Sequence, residues 1–159
     1  MNKKGQAVGI MVLVSVFLFA ITGLIMYHLF TEINTSMQAD DSISDRSKGI
    51  MSSNVEPIKN WTEGSVLLIF GFMSFAALVL AGMVIIRPLF LGLSLFLIIL
   101  EIIVARYFSD IYTRVAESSS LAATSATFTI TPFVMDKLPW LTFILAIILG
   151  VVMYGRSRL

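Results

Sequence analysis

The stretch that decides the fold is Ser65-VLLIFGFMSFAALVLAGMVII-Arg87-Pro88-LFLGLSLFLIIL-Glu101-IIVARY-Phe108. From Ser65 to Ile86 there is no charge, and from Leu89 to Ala105 the only one is Glu101. Each run has the roughly 20 apolar residues that cross a bilayer. As a single helix the stretch would be about 65 Å long at 1.5 Å per residue, twice the hydrocarbon thickness, so it must fold back. Pro88 marks the place: a proline pushes the residue before it out of helical geometry and fits the first position of a new helix. The expectation is a tight helical hairpin with Arg87 at its tip.

Such a hairpin sets Glu101 level with Ser74 and Ser94 level with Ala81. The small stripe Gly71, Ser74, Ala77 and Ala81 can then face Ser94, Glu101 and Ala105, since small residues let helices approach closely in lipid. Glu101 is thereby expected between the two helices, within reach of the Ser74 hydroxyl. These three polar residues, Glu101, Ser74 and Ser94, are the candidate intramembrane polar site.

Composition agrees with a membrane protein. Of 159 residues 57% are hydrophobic and only 13% charged, about half the charge of a soluble domain. The net charge of +1 gives no ground for a nucleic-acid partner. With no cysteine there is neither a disulfide framework nor thiolate chemistry.

Outward from the hairpin, the uncharged run from Ala7 to Thr31 is too long for the apolar region of a secretory signal and reads as a retained first span. Lys3-Lys4-Gly5-Gln6, followed directly by this apolar run, resembles the class III signal of archaeal type IV pilin-like proteins, in which a leader peptidase cuts between Gly and Gln. The resemblance covers the first helix alone, and it implies cleavage after Gly5. Leaders of that family often carry Glu at the fifth position after the cut, where this chain has Ile10, and pilins have one span. A basic anchor that orients the first helix is the other reading.

Phe30, Ile33 and Met37 keep helical spacing, so the first helix should run a turn or two beyond the membrane. The serine-rich part from Asp40 to Ser53 reads as an irregular loop, and Trp61 as an interfacial anchor. Asn34-Thr35-Ser36 and Asn60-Trp61-Thr62 match the glycosylation sequon. Beyond the hairpin, Arg106, Asp110, Arg114 and Glu117 lay alternating charges on one helix face. Phe108, Ile111, Tyr112 and Val115 form an opposite face that needs a partner, either the first helix or a neighbouring subunit. Thr127 to Thr131 alternates as a short strand or an extended loop would. Asp136 followed by Pro139 suggests the start of a last helix, along which Thr142, Ala146 and Gly150 form another close-packing stripe.

The expected architecture is therefore all-α: one polytopic membrane domain over residues 1–159, with four spans at about 8–30, 65–86, 88–108 and 139–155. Segments of about 31–64 and 109–138 lie outside the cytoplasm. One side then holds five bases and no acid; the other holds nine of the ten acids and six of the eleven bases. The positive-inside rule puts both termini and the hairpin tip in the cytoplasm.

No phosphate loop, nucleophile elbow or zinc motif is present, so neither enzymatic activity nor a cofactor is expected. His28, the single histidine, has no companions at metal-ligand spacing and reads as interfacial. Two functional readings follow. The first is a non-catalytic membrane scaffold or assembly subunit, of a pilus, secretion or viral-membrane type, packing laterally as a homo- or hetero-oligomer. The second is a small transport, ion-conducting or holin-like subunit built on Glu101, because an intramembrane acid is costly unless it is neutral, paired or near water.

Overall fold

The computed structural model describes residues 3–83 and 89–156. Four long helices and one short one account for the fold: α1 Lys3–Ala39, α2 Asp45–Met83, α3 Leu89–Ala116, α4 Ala122–Ser125 and α5 Ile130–Arg156. There is no strand among the described residues. Among the described residues three helices are long and apolar enough to cross a membrane, over Ile10–Ala39, Asp45–Val79 and Ile130–Val152. The expected span over 88–108 falls largely in α3. The Arg87-Pro88 turn lies outside the described residues, as do the side chains of Ala81 and Ser94.

The four long helices form a bundle in which α1 packs on α2, α2 on α5, α5 on α3 and α3 on α1. Four contacts set the register. Thr62 stands against Gly23, where a Cβ on the glycine would collide with the Thr62 methyl. Phe108 stacks on Phe17 with ring centres 4.5 Å apart, His28 meets Thr124, and Glu63 meets the first turn of α5. Thus α2 runs antiparallel to α1 and α3 runs parallel to it, so the chain does turn back between α2 and α3.

Helix α2 does not pack extensively on α3 among the described residues. The two occupy opposite corners of the bundle, with α1 and α5 between them. Among the described residues the partners of α2 are α1 and α5; small residues signal close approach but do not specify the partner, and the Arg87-Pro88 end of the expected hairpin lies outside the described residues. The apolar face of α3 finds its partner within the chain, with Phe108 on Phe17 and Tyr112 buried, whereas Ile111 remains exposed.

Two boundaries also differ from expectation. Helix α2 begins at Asp45, so most of the expected loop is helical. Ser44 caps it, its Oγ accepting the Ser47 amide at 3.4 Å and lying 3.0 Å from Ser47 Oγ. Ser52, Ser53 and Asn54 turn their side chains back onto carbonyls of their own helix, which removes the competition that such residues usually offer to helical structure. The remaining turn is held by Asp40, whose carboxylate accepts from the Ser42 hydroxyl at 2.7 Å and the Ser42 amide at 2.8 Å. These bonds hold the Asp40 carboxyl below its ordinary range.

Helix α5 begins at Ile130, with Pro139 inside it, rather than near Asp136. Thr127 to Thr131 accordingly forms turns and the first helical residues rather than a strand. The start signal comes from another helix, through Glu63. Within the bundle Val12, Val16, Ala20, Leu24 and Tyr27 of α1 meet Val66 of α2, Ala105 and Tyr112 of α3, and Val134, Met135 and Leu138 of α5.

Candidate functional site

Two polar layers cross the bundle interior. The deeper one contains Glu101. On α3 the buried residues Ala105, Ser109, Tyr112 and Ala116 recur every three or four positions, and Glu101 precedes Ala105 by four, which puts it on the same inward stripe. Carried along the helices from the register contacts, its height agrees with those of Ser74 and Thr142 to within about one turn. The expected bond between Glu101 and Ser74 is not made: Ser74 Oγ is buried without a partner. Thr142, also buried, donates to the Leu138 carbonyl at 2.8 Å.

The small-residue stripes divide. Ala105 and Ala146 are buried in the bundle and Ala77 is half-buried. Gly71 and Gly150 face open space, with nothing within 4 Å of a Cβ built on either. The intramolecular packing thus uses Ala105, Thr142 and Ala146 and leaves these glycines on the outer surface.

The upper layer is the more completely enclosed. Glu63 of α2 is 7% exposed, Tyr112 of α3 is 3% and Thr131 of α5 is 1%. Glu63 Oε1 accepts the Ile130 amide at 2.8 Å and also the Thr129 amide. An acid is thus placed where the first amides and the positive end of the helix dipole of α5 lie, which stabilises both. Tyr112 OH and Thr131 Oγ1 are buried with no partner. Desolvation, and then the negative charge of Glu63, push the Tyr112 phenol up to about 12, so it stays protonated.

Glu63 was not a candidate from sequence, where it resembles any acid at the solvent end of a span. The signal is its spacing: it precedes Val66 by three and Phe70 by seven, on the face that α2 turns inward. Nearby, His28 Nδ1 lies 2.9 Å from Thr124 Oγ1 and Nε2 lies 3.9 Å from Glu32, tying α1 to α4. Among the described residues no group of three or more His, Asp or Glu is placed to hold a metal ion.

The exterior is strongly apolar. Leu68, Phe72, Phe96, Ile99, Phe143, Ile147 and Val151 are all exposed. On α1 the exposed residues Ile25, Met26, Leu29 and Ile33 continue this surface for about 15 Å above the level where Thr62 meets Gly23. At that height α2 carries Glu56 and Lys59. An open groove of about 340 Å³ between α1 and α2, lined by Phe19, Gly23, Met26, Pro57, Trp61 and Thr62 among others, lies beside this stripe. No family model matches the chain, and no curated protein or solved structure is similar to it.

Proposed function

We propose that the chain is a non-catalytic integral membrane subunit that crosses the bilayer four times with both termini in the cytoplasm, and that it packs laterally against copies of itself or other subunits. The observation that carries this reading is the apolar stripe of α1. Lipid can cover the exposed apolar residues below the charged ends of the helices. Leu29 and Ile33, at the end of the first span and beyond it, extend that surface past the height of Glu56 and Lys59, and an exposed patch of that kind marks a protein interface. Surface-filament or secretion platforms and viral membrane layers are hosts that use such subunits. The test is disulfide or bismaleimide crosslinking of Ile25→Cys and Leu29→Cys variants in native membranes, which the absence of natural cysteine makes clean. Crosslinked oligomers are expected; recovery of monomer alone refutes lateral packing through α1.

A second reading, a small transport or pore-forming subunit, draws support from Glu101 on the inward stripe of α3, at the height of the unpartnered Ser74 hydroxyl. It requires ion flux in proteoliposomes that Glu101→Gln abolishes while the protein stays folded and inserted. Flux unaffected by that change removes the carboxyl from any pathway.

A further inference from the structure

We propose that Glu63, Tyr112 and Thr131 together bind one buried water molecule, which joins α2, α3 and α5 in a three-helix clasp. The three side chains come from three different helices and are each more than nine-tenths buried; Glu63 holds the Thr129 and Ile130 amides, next in the chain to Thr131, and its charge acts on the Tyr112 phenol. The Tyr112 and Thr131 hydroxyls have no protein partner. Glu63 uses Oε1 for the two amides of α5, which leaves Oε2 with lone pairs free. Buried hydroxyls are nearly always bonded, and those without a protein partner are commonly served by water; a buried water needs two to four polar partners.

Donor counting selects water over a monovalent cation. A water accepts from the Tyr112 and Thr131 hydroxyls through its two lone pairs and donates one O–H to Glu63 Oε2, so all three protein groups are paired. A cation would occupy the hydroxyl lone pairs and leave both O–H donors dependent on the one remaining carboxylate oxygen. Nor does Glu63 require a cation for charge balance, because the amides and dipole at the N-terminus of α5 already face it.

The test is the sign of a stability change. Tyr112→Phe and Thr131→Val each remove one hydroxyl at nearly constant shape, and Thr142→Val serves as control because its hydroxyl bonds only its own helix. With the bridging water, each of the first two variants lowers the thermal midpoint in nanodiscs by about 2–4 °C, and their effects are not additive. Solid-state NMR of the unmodified protein should also show polarisation transfer from bound water to the Tyr112 ring and Thr131 methyl. If the hydroxyls have no water partner, their removal relieves an unpaired buried group, and the midpoint stays level or rises, which overturns the proposal. Loss of stability in Tyr112→Phe alone means a direct Tyr112–Glu63 bond and overturns the bridge. A midpoint that falls when sodium is replaced by N-methylglucamine at constant ionic strength, and does not fall in Glu63→Gln, assigns the position to a cation.

Discussion

Replacing Glu63 with alanine removes the side-chain acceptor of the Thr129 and Ile130 amides. Loss of a helix cap costs about 0.5–2 kcal/mol, and leaving a buried donor unpaired costs about 1–3 kcal/mol. Because the two descriptions overlap for the same amides, the expected loss is about 2–4 kcal/mol rather than their sum. Glu63→Gln keeps an acceptor oxygen and loses only the charge facing the helix dipole, about 1 kcal/mol. Unfolding in mixed micelles with increasing SDS, followed by far-UV circular dichroism, gives both values. Hydrogen exchange localises them: the amides of Thr129 and Ile130 should lose protection in the alanine variant before the middle of α5 does. Exposed Glu56→Ala is the control and should change little. A Glu63→Ala protein within about 0.5 kcal/mol of the original, the usual range for surface substitutions, refutes the assignment of Glu63 as the trans cap of α5.

The remaining predictions concern topology, packing, pH and Glu101. Single cysteines at Ser44 and Ser119 should react with an impermeant reagent in intact cells, whereas one at Ser157 should react only after permeabilisation; external labelling at 157 removes the four-span arrangement. Gly23→Ala should lose about 1–3 kcal/mol in the same SDS unfolding experiment, because its Cβ meets the Thr62 methyl, and Thr62→Ser should restore most of it. The phenol of Tyr112 has its folded pKa raised from 10.0 to about 12, so the folded state holds its proton more tightly than the unfolded state. Its contribution is complete below about pH 10 and is lost as pH rises toward 12; a Tyr112→Phe protein should show a flatter stability profile over that interval. Glu101→Gln should cost under about 1 kcal/mol, the scale of intramembrane hydrogen bonds. Glu101→Lys should impair insertion by roughly 3 kcal/mol, read by the fraction of protein resistant to carbonate extraction.

The helical class and the fold-back were legible because hydropathy and proline chemistry are local properties of the chain. So was the inward position of Ala105, since a helix face can be counted off in threes and fours. The neighbour across that face could not be counted: Gly71, Ser74 and Ala77 form the same stripe whether they meet α3 or another helix, and only the packing of all four helices puts α2 and α3 on opposite corners. Helix ends were missed where the deciding bond was non-local or internal. Serines 52 and 53 satisfy themselves on their own helix, so their usual preference for loops did not operate. Pro139 resembled a helix start, but the actual start at Ile130 depends on an acid far away in the chain.

That distance bears on the order in which the molecule can be completed. Glu63 and the amides it receives are 66 and 67 residues apart, and α5 is synthesised after α1 to α4. Until Thr129 and Ile130 arrive, α2 carries an acid at the end of its apolar run with nothing to accept from, and α3 lacks the helix that separates it from α2. A chain arrested before residue 129 therefore presents an uncapped carboxylate beside an open apolar surface. That combination distinguishes an unfinished chain from a finished one.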